Sequence, residues 1–101
     1  MNLLLSDFEE WLILNSGLNG RKLSRSSVYK YTRAIITISN DMINIGLFDK
    51  LFYINSSLQE VKSNVERIKS DISFIRKNQI GHNMYSVALD HFIHFLEERE
   101  V

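Results

Sequence analysis

Apolar residues recur at alternating steps of three and four through most of this chain, and no proline interrupts them. Val28, Tyr31, Ile35, Ile38, Met42 and Ile45 form one such series; Leu58, Val61, Val65, Ile68, Ile72 and Ile75 form another. Steps of three and four bring side chains to one face of an α-helix, whereas a strand alternates. A proline would remove an amide and clash with the preceding turn, so its absence leaves these runs free to be long helices. The expectation is an all-α domain, a compact bundle of four to five amphipathic helices around one core.

Helix ends can be read from capping chemistry. Ser6-Asp7-Phe8-Glu9 reads as a capping box, in which a hydroxyl and a carboxylate satisfy orphan amides. It opens a first helix with Phe8, Trp11, Leu12 and Leu14 on its apolar side and Asp7, Glu9 and Glu10 in its first turn. Ser16-Gly17-Leu18-Asn19-Gly20 ends that helix. Ser24 is a good N-cap for the second, and Gly46 a good residue just past its end. Asp49 to Ile54 reads as a short turn that carries Leu51 and Phe52 inward. Ser57-Leu58-Gln59-Glu60 is a second capping box. The run behind it is either one helix or two, because Ser70 or Asp71 can cap a new one. Gly81 and Asn83 mark a turn, and the last helix carries Tyr85, Ala88, Leu89, Phe92, Phe95 and Leu96 on one side.

At 101 residues the chain is a single domain. It contains no Cys, which excludes disulfides and thiolate metal sites. The opening Met1-Asn2-Leu3-Leu4-Leu5 lacks the basic region and longer apolar run of a secretory signal. No apolar stretch approaches the roughly 18–20 residues of a membrane span. The reading is a cytoplasmic protein with no membrane partner.

Twelve Lys and Arg balance twelve Asp and Glu, so the net charge is zero. The distribution is uneven. No acidic residue lies between Glu10 and Asp41, and that window holds Arg21, Lys22, Arg25, Lys30 and Arg33. Ser24, Ser26, Ser27 and Thr32 sit among them, with Tyr29 close by. Lys, Arg, hydroxyls and free backbone amides at a helix start are the groups that contact phosphate oxygens. Five neutralised phosphates imply a log K against log salt slope of about −4.5. A charge run is more often a solvated helix face than a binding site, so the window alone leaves both readings open. No Arg, Asn or Gln set has a claim to read base edges.

Catalytic patterns are weak. Asp49 with Glu60-Val61-Lys62 matches a nuclease-like D…ExK spacing, but i and i+2 side chains on a helix point apart. His91 and His94 share a helix face and His82 precedes them, without the framing of a zinc motif. No nucleophile motif or phosphate loop is present. The chain reads as non-enzymatic, with no metal and no cofactor.

Two segments resemble known families. Phe8-Glu9-Glu10-Trp11-Leu12, followed by the run from Leu23 to Ile35, resembles the opening of the core-binding domain of phage integrases. Asn78-Gln79-Ile80-Gly81-His82-Asn83-Met84-Tyr85-Ser86-Val87-Ala88-Leu89, ending Phe92-Ile93-His94-Phe95-Leu96-Glu97, is similar to the close of a helical N-terminal domain of bacterial restriction endonucleases. That domain has an Asn beside the glycine, where His82 stands here. The second resemblance spans Phe8 to Glu97 and is preferred. It implies a SAM-like helical fold and a double-stranded-DNA-binding accessory module at the N-terminus of a longer protein, with any nuclease in a following domain. The implied backbone contacts are Arg21, Lys22, Ser24, Arg25, Ser26, Ser27, Lys30 and Arg33. Tyr85 and Ser86 match the second motif, and Tyr85 reads as a core residue with a hydrogen-bonded hydroxyl rather than as a DNA contact. The rival reading is a protein-interaction or homodimerisation module, motivated by the apolar series from Leu58 to Ile75 and the aromatic last helix.

Overall fold

The computed structural model describes residues 3–14 and 23–100. Five helices follow one another: α1 (Leu3–Leu14), α2 (Arg25–Asn44), α3 (Leu58–Ser70), α4 (Ile72–Ile80) and α5 (Met84–Glu100). Among the described residues there is no strand. The all-α expectation holds, and no described helix is long and apolar enough to cross a membrane. α2 and α5 form the central pair. α1 packs on both, α3 lies on α5, and α4 bridges α3 and α5.

The core is apolar and largely aromatic. Phe92 of α5 is fully buried, with ring centroids 5.1 Å from Phe8, 5.3 Å from Tyr53, 5.9 Å from Phe52 and 6.0 Å from Phe95. Phe52 and Tyr53 come from the turn between α2 and α3, which Asn64 fastens by donating to the Phe52 carbonyl at 2.8 Å. Val28, Ile35, Ile38 and Met42 form the buried side of α2. Thr32 and Ser39 share that side, and their hydroxyls donate to the carbonyls of Val28 and Ile35 four residues back, at 2.9 and 2.8 Å. That is how two polar groups are satisfied in an apolar face.

Several helix ends follow the capping chemistry. Ser24 caps α2, accepting the Ser27 amide at 3.1 Å. Gly46 takes φ +79 at the other end, and the Leu47 and Gly46 amides reach Met42 O and Ile43 O, both at 3.0 Å. This is the double bond pattern of a Schellman motif, which needs a left-handed residue there. Ile45, counted with the apolar series, is the exposed C-cap. The Ser57 box is complete: the Glu60 amide donates to Ser57 Oγ at 3.2 Å, and the Ser57 amide to Glu60 Oε1 at 3.3 Å.

Three expectations need correction. Ser6 does not cap α1. The helix already runs at Leu3, so Ser6 and Glu9 lie within it and Asp7, Glu9 and Glu10 are not in its first turn. Burial of Leu5 in line with Phe8 and Leu12 carries the helix through the apolar start. Leu14, assigned to the apolar side, is exposed. Third, Ile72 and Ile75 do not continue the buried face of the series from Leu58; of the two readings of that run, two helices is the one found. Asp71 is extended (φ −77, ψ 133), ends α3 and caps α4 by accepting the Phe74 amide at 3.1 Å. The turn rotates the next helix, so Phe74 enters the core while Ile72 and Ile75 face solvent. The Ser73 hydroxyl and Phe74 amide hold the Asp71 carboxyl below its ordinary pKa.

Candidate nucleic-acid interface

The exposed side of α2 carries Arg25, Ser26, Tyr29, Lys30 and Arg33. Arg25, Tyr29 and Arg33 lie at i, i+4 and i+8, one above another along about 12 Å of helix. Lys30 stands beside that line. None of the three cations pairs with an acidic side chain among the described residues. Five cations elsewhere are engaged. Lys62 meets Glu97 at 3.1 Å, Lys69 meets Asp90 at 2.7 Å, Lys77 meets Asp41 at 2.6 Å and Arg99 meets Asp7 at 2.9 Å. Arg67 donates to the Leu47 carbonyl at 3.3 Å and sits over the Phe48 ring. Lys50 and Arg76 are also unpaired among the described residues, but neither lies on α2.

The hydroxyls contribute unequally. Ser24 and Ser27 are tied together in the N-cap, Oγ to Oγ at 3.1 Å, which leaves Ser26 as the free one. The amides of Arg25 and Ser26 make no hydrogen bond among the described residues, and no acid stands in the first turn of α2. Apart from the Ser24 cap, nothing acidic in the first turn of α2 offsets the positive end of the helix. Arg21 and Lys22 lie outside the described residues.

A groove of about 620 Å³ runs along the foot of this face. Leu5, Ile36 and Leu51 are among its apolar lining, Glu9, Thr32 and Asn40 among its polar lining, and the exposed Tyr29 and Arg33 line it too. The sequence did not reveal this groove, because its walls come from α1, α2 and the turn before α3.

The run from Asn78 to Ser86 is a structural corner. Asn78 Oδ1 accepts the Ser86 amide at 3.0 Å, so a residue of α4 caps α5. The Ser86 hydroxyl donates to Asn83 O at 3.0 Å. His82 and Asn83 hold φ of +53 and +66; Asn and His are among the residues that tolerate the left-handed region best. A Cβ on Gly81 would meet the Tyr85 ring at 3.0 Å, so the glycine makes room for that ring. Tyr85 is half-buried beneath Lys77, and its hydroxyl has no hydrogen bond among the described residues, contrary to expectation.

The weaker chemical patterns disperse. Glu60 is held in its capping box, Lys62 in its ion pair, and Asp49 lies exposed beyond α2. Among the described residues no three metal-binding side chains come together. His94 and His82 are exposed, while His91 is only 4% exposed, its ring 4.9 Å from Tyr31 and its Nδ1 without a partner. Burial pushes the His91 pKa down, with nearby His94 adding to the effect and Asp90 opposing it. On acidification the unfolded chain therefore takes up this proton before the folded one. Stability is fully present above about pH 6.5 and is lost as pH falls from there through the folded pKa. We expect the Tm to drop between about pH 7.5 and 5.5, and His91→Leu to shrink that drop, as read by thermal melts.

Compared with known proteins, the chain matches no family model, no curated protein and no solved structure.

Proposed function

We propose that this chain is a DNA-binding module that holds the phosphate backbone of a duplex on the solvent face of α2. The supporting observation is the contrast in cation use. Arg25, Lys30 and Arg33 share one face of α2, which carries no acid there, and none has an ion-pair partner among the described residues, while Lys62, Lys69, Lys77 and Arg99 are tied into ion pairs between helices. Phosphate oxygens are the natural counter-charge for such a face and for the free amides at its start. The integrase-like run from Leu23 to Ile35 covers the N-cap and first half of this helix. The role is that of an accessory module of a restriction-endonuclease or integrase-like protein, positioning a separate catalytic domain.

The test is duplex binding after charge reversal at Arg25 and Arg33, set beside the same reversal at Lys50 and Arg76. The first pair loses binding and the second keeps it. Equal losses mean that total charge, and not this face, attracts DNA.

Self-association is the second reading. The break at Asp71 removes the continuous stripe that motivated it, but Ile72, Ile75 and Ile80 remain exposed on α4 and are what a second copy would use. Sedimentation at several concentrations separates the readings: a monomer that binds duplex supports the DNA module, and a dimer indifferent to duplex supports the rival.

A further inference from the structure

We infer that the α2 face takes a DNA strand carrying an unpaired base, which stacks on Tyr29 while the flanking phosphates lie on Arg25 and Arg33. This rests on the DNA-binding reading above and deepens it. Tyr29 is 64% exposed. Its ring meets no other aromatic ring and no cation among the described residues, although Arg67, Lys77 and Arg99 each cover a ring elsewhere. Arg25 and Arg33 lie one helical turn to either side of it.

Along its length a paired duplex offers base edges and phosphates but no ring face, so a bare tyrosine between two cations gains little from it there. A strand with an unpaired base offers both a phosphate for each cation and a ring face for the tyrosine, whatever the base. The groove gives that base somewhere to go. The exposed Tyr29 and Arg33 line it together with the apolar Leu5, Ile36 and Leu51. Glu9 and Asn40 line it too. The Glu9 carboxylate repels a phosphate but accepts from an exocyclic amino group. The charge pattern therefore sets the polarity of the site, base inward and phosphate outward.

The experiment uses the full chain and fluorescence anisotropy with three probes: a blunt duplex, the same duplex with a single-stranded overhang, and the duplex with an abasic overhang of equal charge. Stacking of one base predicts that the normal overhang binds about fivefold or more tighter than the abasic one. Tyr29→Ala abolishes that preference, while Tyr29→Phe retains it. Thermal melts of both variants match the parent, because the side chain is exposed. Equal affinity for normal and abasic overhangs overturns the inference and leaves the duplex-binding reading standing. A preference that survives Tyr29→Ala overturns it as well. Failure to bind any of the three probes overturns both readings.

Discussion

Replacing Phe92 by Ala is expected to lower the Tm by on the order of 15 °C or more, or to abolish the cooperative transition altogether. Phe92 is wholly buried where α1, α5 and the turn before α3 meet, and its ring contacts those of Phe8, Phe52, Tyr53 and Phe95. Truncation removes the transfer energy of the ring and leaves a cavity that four neighbouring rings cannot all collapse into. Phe→Ala substitutions in such sites cost about 3–5 kcal/mol. A domain of this size has about 5–15 kcal/mol in total. Phe92→Leu keeps most of the volume and should cost far less. Thermal melts by circular dichroism decide it. A Tm within a few degrees of the parent for Phe92→Ala would mean that the aromatic cluster is not the centre of the fold.

Charge reversal of Arg25→Glu with Arg33→Glu is expected to weaken duplex binding by more than about tenfold at low salt. Each phosphate contact contributes about 0.9 to the salt slope, so two lost contacts remove about 1.8 from it. The two new carboxylates also face phosphates that the parent attracts. Both arginines are exposed and unpaired among the described residues, so the melting temperature should hardly move. That separates a lost interface from a lost fold. The reversal at Lys50 and Arg76 changes total charge equally and should alter affinity by no more than about threefold, the residue of long-range attraction.

What could be read in the sequence was local. Ser24, Gly46 and the Ser57–Glu60 box act within one turn of backbone, and each lies in the structure where its chemistry places it. The Ser6 box has equally good local chemistry and fails, because burial of Leu5 against distant helices outweighs one cap. The break at Asp71 was one of two readable alternatives. Spacing alone favoured Ile72 and Ile75 for the core, and tertiary packing selected Phe74. The basic face of α2 was legible because Arg25, Lys30 and Arg33 share one helix. Two further features were not legible, for a common reason. The groove is assembled from Leu5, Ile36 and Leu51, and the contrast between free and paired cations depends on ion pairs that join residues as far apart as Asp7 and Arg99. The burial of His91 was not legible either, because it involves packing against Tyr31 of α2.

In the proposed function, phosphates are the counter-charge for the free cations of α2. The most direct measurement is the salt dependence of duplex binding by the unaltered chain. Arg25, Lys30 and Arg33 alone predict a log K against log salt slope of about −2.7, and the addition of Arg21 and Lys22 steepens it to about −4.5. A slope in that range, shallower by about 1.8 after reversal at Arg25 and Arg33, is the predicted result. A slope near zero, or no duplex binding at low ionic strength, would contradict the account.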